Sequence, residues 1–107
     1  MGYEQMMEKM TFLMCGDDLC RISSSEEDDI TTICLDLHGL SKKSAIRMIK
    51  NTIAVFRDGF RLELVHGYNH GTAIKEYIYK EMRNERVINK QSPYYNPGIT
   101  DLMISAA

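Results

Sequence analysis

Residues 33–45 read ICLDLHGLSKKSA, and this stretch decides the fold. Apolar and polar residues alternate from Ile33 to His38, as they do in a β-strand with one buried face. Gly39 then interrupts the alternation, and Ser41 is a residue type that commonly caps a helix N-terminus. From Lys42 to Arg57 the apolar side chains recur at helical spacing. The stretch therefore predicts a strand followed by an amphipathic helix.

The same order of elements repeats further along the chain. Residues 61–66, RLELVH, form a second short segment that ends at Gly67, and residues 73–82 carry apolar side chains on one helical face. Residues 87–90 and 101–105 are predicted as two final strands, separated by a turn-rich segment that contains both prolines. The predicted order is strand, helix, strand, helix, strand, strand. This is an α/β fold in which strands joined by a helix lie parallel.

The first 29 residues are predicted to form an acidic, methionine-rich extension. Apolar residues near helical spacing predict a short amphipathic helix over residues 4–14. Residues 23–29, SSSEEDD, contain nothing to bury and are predicted to be a flexible linker. We therefore divide the chain into an extension, residues 1–29, and an α/β domain, residues 30–107. A further hypothesis is that the extension recruits a protein partner or covers the basic face of the domain.

Length and composition restrict the class of protein. A chain of 107 residues has room for one hydrophobic core, and 44% hydrophobic and 26% charged residues are typical of globular domains. No segment approaches the roughly 20 apolar residues of a membrane span, so we predict a cytoplasmic protein that does not enter membranes. Three cysteines without a repeated spacing favour a reducing compartment. Cys15 and Cys20 alone fall short of the ligands that a zinc site needs.

Charge is distributed unevenly along the chain. Residues 1–34 carry two basic and eight acidic side chains, whereas residues 35–107 carry eleven basic and seven acidic ones. The formal net charge of -2 at pH 7 therefore combines an acidic lead with a mildly basic remainder. A basic module is compatible with a polyanionic partner such as nucleic acid, although a solvated surface has the same composition.

Three chemically active side chains lie at the predicted carboxyl ends of the first two strands. Asp36 and His38 are two positions apart and leave the same face of the first strand, and His66 ends the second. Ligands of open α/β sheets bind at this edge, and the helix after each strand presents amides and partial positive charge to an anion. We expect a phosphate site in which His38 and His66 act as acid and base, while Asp36 fixes a tautomer or holds a metal-bound water. The alternative is that these side chains only cap the helix and close the turn.

LDLHGLSKKSA at residues 35–45 is followed, after the first helix, by LVHGYNHGTAIKEYI at residues 64–78. Together the two segments resemble the small MutS-related (Smr) domain family, over a region from Ile33 to Ser105. The resemblance implies a two-layer α/β sandwich with a four-stranded mixed sheet and two helices, and an activity that cuts RNA or nicks DNA. Carried over by position, it implies functional roles for six residues: Asp36, His38, Gly39, His66, Gly67 and Gly71.

Other residues near this edge are predicted to bind nucleic acid. Lysines in the first turns of both helices suggest a recruited anion, because the helix dipole disfavours cations there. The loop of the second motif tolerates close backbone approach to a phosphate, and one tyrosine before the last strand can stack on an unpaired base. The predicted binding residues are Gly39, Lys42, Lys43, Gly67, Asn69, His70, Gly71, Lys75 and Tyr94.

Two functions follow from these residues. The first is an endonuclease of the Smr type that acts on RNA or DNA through His/Asp acid–base chemistry. The second is a nucleic-acid-binding module that does not cut. Tyr68 and Asn69 favour the second, because they stand where the family usually has Lys and Gly, and a lost Lys removes one phosphate contact. The chemistry requires no cofactor, and a divalent metal such as Mg²⁺ is compatible with it.

Overall fold

The structure, a computed structural model, describes residues 3–11, 19–67, 72–93 and 96–107. Within these ranges the chain forms a mixed α/β fold with three helices and one five-stranded sheet. The helices are α1 (Tyr3–Met10), α2 (Lys42–Val55) and α3 (Thr72–Glu76), and α3 continues into a π-helical turn (Tyr77–Glu81). The strands are β1 (Ile22–Glu27), β2 (Ile30–Asp36), β3 (Phe60–Val65), β4 (Val87–Gln91) and β5 (Ile99–Ile104). Across these ranges, no helix has both the length and the apolar character that crossing a bilayer demands.

The sheet has the strand order β1-β2-β3-β5-β4. β2 and β3 are parallel neighbours, as expected for strands joined by a helix, whereas the other three neighbouring pairs are antiparallel. The carboxyl ends of β2 and β3 therefore meet the starts of β1 and β5 at one edge of the sheet. We call this edge, formed by residues 21, 36–41, 65–67 and 98, the carboxyl edge.

Alternation along the strands decides which face of the sheet is buried. Ile33, Leu35 and Leu37 are fully buried, and Leu62 and Leu64 of the neighbouring strand lie on the same face. These side chains form one core with the buried residues of the helices, so the helices pack on this covered face. The helix residues in that core are Met10, Ala45, Met48, Ile49, Ile53, Ile74, Tyr77 and Ile78.

The predicted order of elements after residue 30 is confirmed, but the predicted count of four strands is wrong. The fifth strand, β1, forms from residues that the sequence predicts as a flexible linker. It pairs with β2 along its whole length, from Ile22 opposite Leu35 to Glu27 opposite Ile30. Backbone hydrogen bonds build such a ladder, so the exposed serines and glutamates of β1 do not prevent it.

The hairpin between β1 and β2 has a two-residue turn of acidic residues. Asp28 and Asp29 adopt positive φ angles of 51° and 64°. Two successive left-handed residues are typical of a type I′ turn, whose twist matches that of the flanking strands. Asp tolerates this conformation better than most residues. The acidic run therefore supplies a turn.

The N-terminal extension contributes to the core of the domain. The predicted helix is confirmed over α1, and its last part, residues 12–14, lies outside the described residues. Met10 is fully buried, and Ile22 is 7% exposed, in the same core as the sheet and α2. These two residues belong to the folded unit even though they precede residue 30.

Candidate functional site

Asp36 and His38 form a hydrogen-bonded pair at the end of β2. Nδ1 of His38 bonds Oδ1 of Asp36, and the backbone N–H of His38 also donates to that oxygen, at 3.4 Å. Because a carboxylate only accepts, the neutral form of the ring carries its proton on Nδ1 and its lone pair on Nε2. The His38 side chain is 65% exposed and that of Asp36 is 41% exposed. The pair therefore presents an oriented imidazole nitrogen to solvent.

A tight turn carries His38 from β2 to the start of α2. The backbone N–H of Leu40 donates to the carbonyl of Leu37 at 3.1 Å, and Gly39 has a φ of +77°. These values are typical of a type II turn, which needs a left-handed residue at its third position. Ser41 follows, and its Oγ accepts a hydrogen bond from the N–H of Ser44 at 3.2 Å, which confirms the predicted N-cap. His38 thus stands between a strand end and a helix N-terminus.

Arg21, which the sequence does not single out, contacts the backbone of the same pair. Its Nη1 donates to the carbonyl of Asp36 at 3.0 Å and to that of His38 at 2.9 Å. In return, the backbone N–H of Asp36 donates to the carbonyl of Arg21 at 2.9 Å. The guanidinium thus links the segment before β1 to the turn that holds His38.

His66 lies at the same edge but is buried. It is 1% exposed, and both ring nitrogens have partners: the Gly67 carbonyl oxygen lies 3.2 Å from Nδ1, and the Thr100 hydroxyl lies 2.9 Å from Nε2. A carbonyl only accepts, so Nδ1 carries the proton and Nε2 accepts from Thr100. Burial lowers the pKa of His66, and the positive charge of Lys75 acts in the same direction. The ring is therefore a neutral, satisfied core histidine.

The register of β2 and β3 explains why the two histidines differ. Asp36 is paired with Val65, and the next residue, Leu37, donates its N–H to the Val65 carbonyl at 2.8 Å. His66 consequently falls beside Leu37 on the covered face, whereas Asp36 belongs to the opposite, open face. The expectation that both imidazoles flank one scissile bond is therefore not supported by this arrangement.

Gly67 brings the two sequence motifs into contact. Its φ is +82°, and a β-carbon at this position would lie 3.5 Å from the Cβ of His38. The N–H groups of His66 and Gly67 both donate to the carbonyl of Gly98, at 2.9 and 3.0 Å. Gly67 therefore contacts both the end of β2, at His38, and the segment just before β5, at Gly98.

The predicted lysines have different surroundings. Nζ of Lys42 pairs with a carboxylate oxygen of Glu81 at 2.8 Å, with both side chains about half exposed. Lys43 is exposed at the start of α2, and Lys75 is half-buried near His66, whose pKa its charge lowers. Asn69, His70, Gly71 and Tyr94 lie outside the described residues.

The open face of the sheet carries other titratable groups in one cross-strand row. Cys34, Glu63 and Asp101 are register partners on β2, β3 and β5. Burial and the charge of Glu63 raise the pKa of Cys34 to about 11, so its thiol is not a ready nucleophile at neutral pH. Burial also raises the pKa of Asp101, whose Oδ1 has no hydrogen-bond partner among the described residues. Within the part of the chain that the structure describes, no group of three or more His, Cys, Asp or Glu side chains could hold a metal ion.

The carboxyl edge thus combines one oriented, exposed imidazole with two glycines in left-handed conformations and a capped helix N-terminus. This arrangement can accept a proton from a bound hydroxyl or water and can approach an anion through its backbone. In comparisons with known proteins, no protein-family model matches the chain, and neither the curated proteins nor the solved structures give a match.

Proposed function

We propose that this chain cleaves phosphodiester bonds of nucleic acid at the carboxyl edge, with His38 as general base. The observation that carries the proposal is the hydrogen bond between Nδ1 of His38 and the carboxylate of Asp36. It fixes the tautomer in which Nε2 is the basic nitrogen, and the side chain is 65% exposed. An exposed imidazole without such a partner would populate both tautomers.

The chemistry starts with proton transfer to His38. An attacking hydroxyl, either water or the 2′-hydroxyl of RNA, gives its proton to Nε2 while its oxygen bonds to phosphorus. The bond from phosphorus to the leaving oxygen breaks, and that oxygen takes up a proton from solvent or from the imidazolium. The Asp36 carboxylate stabilises the imidazolium that forms in between.

Phosphate recognition is assigned to the turn and to the N-terminus of α2. A 14-residue helix presents partial positive charge at this end. Lys42 and Lys43 in its first turn add two cations, and no acidic residue lies there. The Lys42–Glu81 pair is exposed, so it contributes little stability and a phosphate can compete for the ammonium.

His66 has a structural role in this proposal. Its ring closes the start of the loop after β3 through Gly67 and anchors it to Thr100 on β5. The backbone of Gly67 then lies against His38. We assign the activity to the Smr type on the two motifs that carry these residues, with RNA or DNA as substrate and a divalent metal as a variable to be tested.

A second candidate function, nucleic-acid binding without cleavage, is favoured by the burial of His66. Among the described residues the edge exposes one imidazole, so these residues offer the leaving oxygen no second histidine as an acid. A site of this kind can still hold a phosphate through the helix N-terminus and the lysines. Such binding weakens steeply with salt because counterions are released.

One experiment separates the two functions. The purified chain is incubated with labelled single-stranded RNA, single-stranded DNA and supercoiled plasmid, with Mg²⁺ or with EDTA, and binding is measured in parallel at several salt concentrations. We expect cleavage of at least one substrate, and its loss in His38→Ala with circular dichroism unchanged. Salt-sensitive binding without cleavage in every arm would establish the binding module instead. Equal cleavage by His38→Ala would exclude the proposed base.

A further inference from the structure

The turn that carries His38 is of a type that differs from its nearest alternative by the orientation of its central peptide. Type I and type II turns share their ends and differ by a flip of the peptide between the second and third residues. Here those residues are His38 and Gly39, and the φ of +77° at Gly39 corresponds to type II. A flip would redirect the His38 carbonyl and alter the backbone from which the imidazole projects.

Arg21 holds this peptide in one orientation. Its Nη1 donates to the His38 carbonyl at 2.9 Å, which is the carbonyl that a flip would turn away. The same nitrogen donates to the Asp36 carbonyl at 3.0 Å, so one atom ties together the two residues of the proposed dyad. Arg21 is itself half-buried, and the N–H of Asp36 donates to its backbone carbonyl at 2.9 Å. The contact is therefore anchored at both the backbone and the side chain.

A guanidinium is well suited to this position. Its planar nitrogens donate in a fixed geometry, and hydrogen bonds from a charged donor are stronger than neutral ones. The two carbonyls lie past the end of the β1–β2 ladder, which begins at Ile22, so strand pairing does not satisfy them. Removing the side chain would leave the His38 carbonyl to water and the turn free to exchange its two forms.

We propose that Arg21 is a positioning residue for the Asp36–His38 pair, so that the segment before β1 is part of the functional site. This inference rests on the proposed function for its catalytic consequence. The claim that Arg21 sets the orientation of the imidazole can be tested without a substrate. Arg21 acts through the turn and does not touch the reacting atoms.

The test compares Arg21→Ala and Arg21→Lys with a matched control, Arg57→Ala. Arg57 is exposed near the opposite edge of the sheet, just before β3 starts at Phe60. Its removal changes the net charge by the same amount as removal of Arg21. The first readout is a ¹⁵N NMR titration of the His38 ring, which reports its tautomer and its pKa. The second is kcat and KM on whichever nucleic acid the wild-type chain cleaves.

We expect Arg21→Ala to shift the His38 ring nitrogens toward a mixture of tautomers and to lower kcat on the order of 100-fold, with little change in KM. Arg21→Lys keeps a charged donor and should stay within about tenfold of the wild-type kcat. Arg57→Ala should match the wild type in both readouts. If Arg21→Ala does not fold, the comparison of Arg21→Lys with Arg57→Ala decides, because only the former should perturb the His38 ring signals.

Two results would overturn the inference: His38 ring signals identical to wild type in both Arg21 variants, or an unchanged kcat in Arg21→Ala. If kcat is unchanged and KM is raised, the charge of Arg21 acts in substrate binding instead. If the wild-type chain cleaves no nucleic acid, the proposed function fails. The NMR titration then still decides whether Arg21 orients His38.

Discussion

His38 and His66 stand at the same edge of the sheet but belong to opposite faces. The pairing of β2 with β3 ends at Asp36 and Val65, so His66 falls beside Leu37, which is fully buried in the core. His38 is exposed and bonded to a carboxylate, whereas His66 is buried and bonded to Thr100 and Gly67. In the proposed function the two imidazoles therefore have separable roles, a chemical one for His38 and a structural one for His66.

His66 should make stability depend on pH. Burial lowers its pKa from the ordinary value of 6.5, so the unfolded chain binds the proton more readily than the folded chain. The neutral ring therefore stabilises the fold fully above pH 6.5. This stabilisation is lost as the pH falls below 6.5 toward the lower pKa that His66 has in the folded chain. We expect the urea midpoint of the wild type to fall between roughly pH 7.5 and pH 5, and that of His66→Gln to fall less. The same slope in both proteins would contradict this assignment.

Gly39→Ala should destabilise the turn through backbone strain alone. A β-carbon at Gly39 meets nothing within 4 Å, but its φ of +77° is unfavourable for alanine. We expect a loss of about 1 kcal/mol in the free energy of unfolding. Gly59→Ala is the matched control, because Gly59 does not have a positive φ and should be neutral or slightly stabilising. Equal effects of the two substitutions, measured by urea unfolding, would argue against the type II turn.

Ile22→Ala tests whether β1 belongs to the fold. Ile22 is 7% exposed and lies in the main core. Its truncation should lower the free energy of unfolding by about 2 to 3 kcal/mol. Ser24→Ala, on an exposed position of the same strand, should change it by less than about 0.5 kcal/mol. A flexible linker at these residues would make both substitutions equally neutral.

Arg86→Ala should be strongly destabilising. The Arg86 side chain donates to the Ser105 carbonyl at 2.8 Å and to the Phe56 carbonyl at 2.7 Å, and it also bonds the Ile53 carbonyl. It thus joins the end of α2 to the end of β5. We expect a loss of about 3 kcal/mol in unfolding free energy, since several carbonyls lose a charged donor together. Arg83→Ala, which removes only local bonds to carbonyls nearby in sequence, should cost about 1 kcal/mol or less.

Much of the fold could be predicted from the sequence because side-chain periodicity reports burial. β2, β3, α2 and β5 each bury one regular set of apolar residues, and the predicted elements match them closely. β1 could not be found in this way. Five of its six residues are exposed, and it exists because the edge of β2 offers backbone partners to a hairpin.

The candidate site was partly readable from the same patterns. The spacing of Asp36 and His38 correctly places them together, because they are two positions apart at a strand end. The burial of His66 was also encoded, since Leu62, Leu64 and His66 continue one alternating set along the covered face. No sequence pattern predicted the role of Arg21, because its contact with Asp36 spans 15 positions in sequence and arises only from the β1–β2 hairpin.

The central claim is that an Asp36-oriented His38 performs proton transfer while His66 only supports the edge. The most direct measurement is the single-turnover rate of nucleic-acid cleavage by His38→Gln and by His66→Gln, each at a temperature where circular dichroism shows it folded. We predict that His38→Gln lowers the rate about 100-fold or more, and that His66→Gln stays within about tenfold of the wild type. A wild-type rate in His38→Gln, or an equal loss in both folded variants, would contradict the claim.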